Sequence, residues 1–169
     1  GYALEGVRPR HELPLTLGHE IAGVVEHAEG EHAALLGEQV LVPAVIPCGS
    51  CALCESGRGM ICRKQIFPGC DVHGGFASHV VVPANGLCVV DAEKLEASDV
   101  TLPDLAVLGD AVSTAYQATV KADLAAGDLA IVVGAGGVGI WAVQLAAALE
   151  AHVVAIDLDP RRRESAQAL

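Results

Sequence analysis

Nothing in these 169 residues offers a nucleic acid a grip. Ten Lys and Arg stand against 21 Asp and Glu, the formal net charge is −11, and the longest basic cluster is Arg161-Arg162-Arg163. A surface this acidic repels a phosphate backbone, so nucleic acid is excluded as the expected partner. No apolar run approaches the roughly 20 residues of a membrane-spanning helix, and no charged-then-apolar leader opens the chain. Internal repeats and low-complexity tracts are also missing. So is an initiating Met: the chain runs from Gly1 to Leu169, stopping inside a helical stretch, and reads as an internal piece of a longer protein. What is there is 52% hydrophobic residues and a mean hydropathy of +0.46. That suffices for the core of one domain or two small ones.

The first two-thirds is punctuated and strand-like. Apolar, β-branched runs at 21–25, 40–45 and 80–82 are separated by Gly, Pro and charged residues. Pro43 interrupts the second run and Pro47 follows it, which predicts an edge strand leading into the cysteines. The last third is richer in Ala, Val and Leu. Residues 129–133 form a short, wholly apolar run, as expected of a strand buried on both faces of a parallel sheet. GAGGVG follows at 134–139, then a helical stretch with Val138, Ala142, Leu145 and Leu149 on one face. A second strand, 152–156, ends in Asp157.

Strand, glycine turn, helix, strand and acid compose one βαβ unit with the context a dinucleotide site requires. Gly134 permits the tight turn, Gly136 lets a pyrophosphate approach the backbone, and Gly139 lets helix and strand pack closely. Gly137 and Val138 complete the turn at the helix N-terminus, whose free N–H groups and partial positive charge suit phosphate. Asp157, 18 positions after Gly139, can accept from both ribose hydroxyls of NAD and would repel a 2′-phosphate. The triple arginine beyond it could soften that preference. The plainer alternative is a glycine turn of another α/β protein, with Asp157 as a helix cap.

Cys48, Cys51, Cys54 and Cys62 are spaced by three, three and eight positions. Four thiolates at these intervals can wrap one tetrahedral Zn²⁺, with glycines and serines supplying the turns. Such a site has no open coordination position, so its work is folding. Two disulfides fit poorly, and an iron–sulfur cluster is the sharper rival. Closely spaced cysteines without secretory signs favour a reducing, cytoplasmic setting. Cys70 and Cys88 read as packing residues.

With that lobe closed, chemistry must lie elsewhere. His19 and Glu20 precede an apolar run in LGHEIAG, and Asp110 stands four positions before Thr114 in GDAVSTAY. Alone, His19 reads as a structural histidine and Asp110 as an N-cap.

Taken together, GHE at 18–20, the cysteine lobe, GGFA at 74–77, the Asp110–Thr114 spacing and GAGGVG with Asp157 resemble the zinc-dependent medium-chain alcohol dehydrogenase family. The resemblance runs along essentially the whole chain. It implies a GroES-like, partly open β-barrel catalytic domain over 1–111 and the start of a Rossmann domain over 112–169. It further implies a catalytic zinc held by His19, by Asp110 where the family usually has Cys, and by a Cys upstream of Gly1, with Glu20 close enough to exchange onto the metal. Thr114 and Val138 match positions that contact the nicotinamide ring, and Arg162 one near the adenosine ribose. The implied reaction is NAD-linked oxidation of a secondary alcohol by a homo-oligomer. An acid in place of Cys hardens the metal centre and leaves open a non-catalytic nucleotide-binding relative.

A narrower likeness is carried by PAVIPCGSCALCESGRGMICRKQ, PGCDVHGGFASHVVVP, NGLCVVD and DAVSTAYQA. These are similar to 6-hydroxycyclohex-1-ene-1-carbonyl-CoA dehydrogenases of anaerobic benzoyl-CoA degradation, which implies a CoA thioester as substrate. Polyol or threonine dehydrogenases of the same family share every motif.

Overall fold

A computed structural model describes residues 13–169. It divides into two compact units, the first ending at Gly109 and the second running Asp110–Leu169.

In the first unit, β1 (Ile21–Val24), β2 (Gln39–Val42) and β3 (Cys88–Val89) form an antiparallel sheet in that order. Ile21 lies opposite Val42 and Val40 opposite Val89. Along β2 the side chains alternate, Val40 and Val42 buried, Gln39 and Leu41 half-buried. This is the period of two expected where one face meets the core. Ile21, Val42 and Ile46 make that core, with Ile66, Val80, Val82 and Leu87 packed against it.

Three expectations change here. Residues 80–82 form no strand: Val80 and Val82 serve the core while Val81 is 94% exposed, so the alternation is real but no ladder accompanies it. The run through Pro43 is not an edge. β2 stops at Val42 and is the central strand, because Pro43, lacking an N–H, falls just beyond the ladder. Cys88 is exposed on β3, not packed. That strand, only two residues long, has no periodicity to betray it.

The stretch leading to His19 is held by hydrogen bonds from the GGFA loop. Gly74 N–H donates to the Thr16 carbonyl (2.8 Å), Phe76 N–H to Leu17 (2.9 Å) and Gly75 N–H to Gly18 (2.9 Å). A Cβ on Gly74 would overlap the Gly18 carbonyl oxygen, so no side chain fits at that crossing.

The second unit runs α3 (Ala111–Lys121), β4 (Leu129–Val133), α4 (Gly139–Ala148), β5 (His152–Ile156) and α5 (Pro160–Gln167), after the short helices α1 (Ala52–Glu55) and α2 (Ala92–Glu96) of the first. β4 and β5 pair in parallel, Leu129 opposite His152 through Val133 opposite Ile156. α4 joins them, as a parallel pair requires. Both strands lie where they were expected, but 129–133 is not buried on both faces: Leu129, Ile131 and Val133 share one exposed face with Val154 and Ile156. The buried stripe of α4 is Val143 and Ala146, not the face through Ala142 and Leu145. GIWAVQLAAA is apolar nearly all round, so its sequence cannot say which side turns inward.

Candidate functional site

The cysteine lobe is built from one short segment. Cys51 stands at the N-terminus of the single-turn helix α1, Cys54 lies inside it, and a 3-10 turn at Gly59–Ile61 delivers Cys62. Sulfur–sulfur distances are 3.5 Å for Cys51–Cys54 and Cys48–Cys62, 3.7 Å for Cys51–Cys62 and 3.9 Å for Cys48–Cys54, and all four atoms lie within 4.8 Å of one another. With metal–sulfur bonds of about 2.3 Å, a tetrahedral site has edges of about 3.8 Å. A disulfide would need about 2.0 Å. In a cubane iron–sulfur cluster each thiolate sits on its own iron, which spreads the sulfurs further. The donor set therefore fits one zinc ion.

Electrostatics agree with this fit. The Ser50 backbone N–H, with the Cys62 thiol, lowers Cys48 to about 6, and Cys51 is lowered by the Cys54 backbone N–H. Burial, then Cys51, pushes Cys54 up to about 11. The neighbouring thiols thus resist ionising together, a conflict that a central dication relieves. Lys64 N–H donates to Cys62 Sγ (3.3 Å).

His19 and Glu20 are half-buried just ahead of β1. The Phe67 ring lies 5.0 Å from the His19 ring, tilted by 54°. Gly109, at the end of the first unit, sits against the Val42 carbonyl and the His19–Glu20 backbone.

In the second unit Asp110 occupies the N-terminal cap position of α3 but makes no capping bond to the backbone. Instead its Oδ1 accepts from the Thr114 hydroxyl at 2.9 Å.

The glycine turn adopts its expected course. Gly134 has φ +92°, and its N–H extends the β4–β5 ladder to the Ile156 carbonyl (2.7 Å). A Cβ on Gly139 would run into the Gly134 carbonyl. Gly136 and Gly137 are different: a Cβ on the first would meet only Arg162 at ordinary contact distance, and on the second nothing. Packing within the protein does not demand these two glycines, which form an open cradle beside Val138 and the first turn of α4. That is the fit a pyrophosphate calls for.

Asp157 closes the cradle. Its Oδ2 accepts from the Ala135 N–H (2.8 Å) and lies 3.5 Å from Arg162 Nη1, while Oδ1 accepts from the Asp159 N–H (2.8 Å). The side chain keeps 7% of its accessible surface. Those two backbone donors, with the Arg162 charge behind them, hold its pKa below the usual carboxylate value. The helix-cap alternative fails here, since the cap of α5 is Asp159, accepting from the Arg161 N–H with Pro160 next in line. Sequence reasoning missed this cap, although an acid before Pro at a helix start is a readable signal. It also missed Arg163, whose Nη1 donates to the Asp157 and Leu158 carbonyls (2.7 and 3.1 Å).

Comparison with known proteins follows the same lines. The profile of the alcohol dehydrogenase GroES-like domain matches residues 2–92. L-galactonate-5-dehydrogenase of Escherichia coli (strain K12) is 34% identical over 165 residues, 96% of this chain and 46% of the relative. L-threonine 3-dehydrogenase of Anaeromyxobacter sp. (strain Fw109-5) is 33% identical over 153 residues, 89% and 42% of the two chains. Among solved structures, a cobalt- and zinc-bound thermostable alcohol dehydrogenase from Pyrobaculum aerophilum superposes with a TM-score of 0.82 at 30% identity, covering 99% of this chain and 50% of that one. An alcohol dehydrogenase from Thermus sp. ATN1 gives 0.84 at 30%, covering 99% and 49%. The chain spans about half the length of the curated relatives it matches.

Proposed function

The chain belongs to the zinc-type medium-chain alcohol dehydrogenase family, and from that premise we propose that the whole protein oxidises a secondary alcohol to a ketone with NAD. One observation carries this reading. The Asp157 carboxylate is fixed at the end of β5, beside two glycines where an added Cβ would meet nothing of the protein but Arg162.

In this reading Asp157 holds the adenosine ribose, with Arg162 beside it, and the open turn at 134–139 receives the pyrophosphate. Thr114 and Val138 face the nicotinamide ring toward the substrate carbon. His19 supplies an imidazole nitrogen and Asp110 a hard oxygen donor to a second zinc, together with a Cys before Gly1, and Glu20 is the neighbouring acid able to exchange onto it. A zinc ion held there would supply Lewis acidity toward an alcohol oxygen, and NAD held at the turn would supply the hydride-accepting chemistry. The cysteine-lobe zinc has no open position and takes no part in the chemistry.

For the substrate we propose the CoA thioester 6-hydroxycyclohex-1-ene-1-carbonyl-CoA, on the stretches around Cys48–Cys62, 68–83, 85–91 and 110–118. The rival is a polyol, sugar acid or threonine, favoured by the relatives that carry galactonate and threonine in their names. Among the described residues no helix is long and apolar enough to cross a membrane. The protein is proposed to act in the cytoplasm as a homo-oligomer.

The test is zinc per chain on the whole protein, purified without added metal, beside an Asp110→Ala variant. About two zincs, falling to about one in the variant, is the expected result. About one in both removes the zinc-dependent mechanism and leaves the non-catalytic nucleotide-binding reading. NADH formation with cyclic CoA-linked alcohols, compared with L-galactonate and L-threonine, then decides the substrate.

A further inference from the structure

Thr114 enters the family resemblance only as a contact to nicotinamide. We propose that it is also the positioning residue for the Asp110 carboxylate, its hydroxyl fixing the rotation of a metal-binding side chain. The inference rests on the reading of Asp110 as a zinc ligand.

An acid at the first position of a helix ordinarily turns back to cap a free N–H of the first turn. Asp110 does not. Its backbone carbonyl is already served twice, by the Thr114 N–H at 2.8 Å and by the Ser113 hydroxyl at 3.1 Å. A threonine hydroxyl inside a helix commonly bonds the carbonyl three or four residues back. For Thr114 the carbonyl four back is that of Asp110, where Ser113 donates instead. The Thr114 hydroxyl bonds the carboxylate instead, reaching Oδ1 at 2.9 Å.

The need for such a donor follows from the residue type. A cysteine offers a metal one atom on one torsion. An aspartate offers two oxygens and a second torsion, so it can bind through either oxygen or through both. A charge-assisted hydrogen bond to Oδ1 removes that freedom, and an outer partner of this kind is how ligating carboxylates are commonly oriented. Asp110 and Thr114 are thus one device: the acid replaces the usual thiolate, and the hydroxyl one helical turn on makes the replacement directional.

The experiment uses the whole protein and reads zinc content and zinc affinity by chelator competition without NAD, so that nicotinamide contact plays no part. Wild type, Thr114→Val and Thr114→Ser are compared, and the tightly held cysteine-lobe zinc reports correct folding in each. Thr114→Val keeps the shape and deletes the donor. It is expected to weaken the second zinc about 10- to 100-fold, with Thr114→Ser recovering most of the loss and the lobe zinc unchanged throughout. Wild-type affinity in Thr114→Val overturns the inference and leaves Asp110 as a ligand. A Thr114→Ser variant as weak as Thr114→Val also overturns it, because a hydroxyl at this position would then not be enough to place the carboxylate. A wild-type protein with a single zinc, retained in Asp110→Ala, removes this inference together with the reading beneath it.

Discussion

The cysteine lobe and the glycine turn are both short, glycine-bearing stretches that gather polar groups, yet they point those groups in opposite directions. In the lobe four sulfurs face one another within 4.8 Å, and no coordination direction remains for anything outside. In the turn, a Cβ on Gly137 would meet nothing of the protein and one on Gly136 only Arg162, while the Asp157 carboxylate beside them is braced by two backbone donors. A site whose groups converge on one another contributes stability; one that leaves space beside fixed groups is shaped for a ligand. Residue type does not separate them. Where the convergent groups point does.

Breaking the lobe should produce the largest effect. Cys54→Ala is expected to release its zinc and to cost up to about 10 kcal/mol of apparent stability, read as one zinc fewer per chain and a collapse of the thermal transition. Retained stability would mean that the lobe is not a structural site. Next, Gly139→Ala and Gly137→Ala set packing against ligand space within one turn. The first drives a Cβ into the Gly134 carbonyl and should cost about 1–3 kcal/mol, measured by urea unfolding. The second should leave stability within about 0.5 kcal/mol while NADH affinity, followed by fluorescence, falls sharply. Equal stability losses in the two would erase the distinction.

Asp157→Asn sharpens the contrast through pH. The carboxylate's folded pKa lies below its ordinary value. Its stabilising contribution is therefore complete above the unfolded carboxylate range, about pH 4, and is lost as pH falls through the lower folded value. The variant should be less stable than wild type at pH 7, and the two should converge in strong acid; a pH-independent gap would sink the linkage. Smallest is Asp159→Ala, which removes the α5 cap and should cost about 1 kcal/mol with no change in metal content.

Much of this was legible in the residues, and unevenly so. The runs 129–133 and 152–156 became β4 and β5 because an apolar segment bounded by a glycine turn or an acid has few other uses. The four ligands of the lobe were visible as spacing alone. The depth of α4 was not, since a helix apolar on every side carries no orientation. Nor was the ring contact of His19 with Phe67, 48 positions away, since no local pattern announces a contact made by folding. Asp110 was ambiguous for a physical reason, because cap and ligand call for the same side chain. In the structure its Oδ1 accepts from the Thr114 hydroxyl and makes no capping bond.

All four sulfurs of the lobe come from fifteen consecutive residues, Cys48 to Cys62, while the β1–β3 sheet needs Val89 to reach Val40. Closing so short a loop costs little chain entropy, and contacts this local form early. During synthesis the lobe can therefore capture its ion once Cys62 has emerged, before β3 exists to complete the sheet. Metal supply would then act on the growing chain, and zinc withheld during translation should lower yield more than zinc stripped from the finished protein.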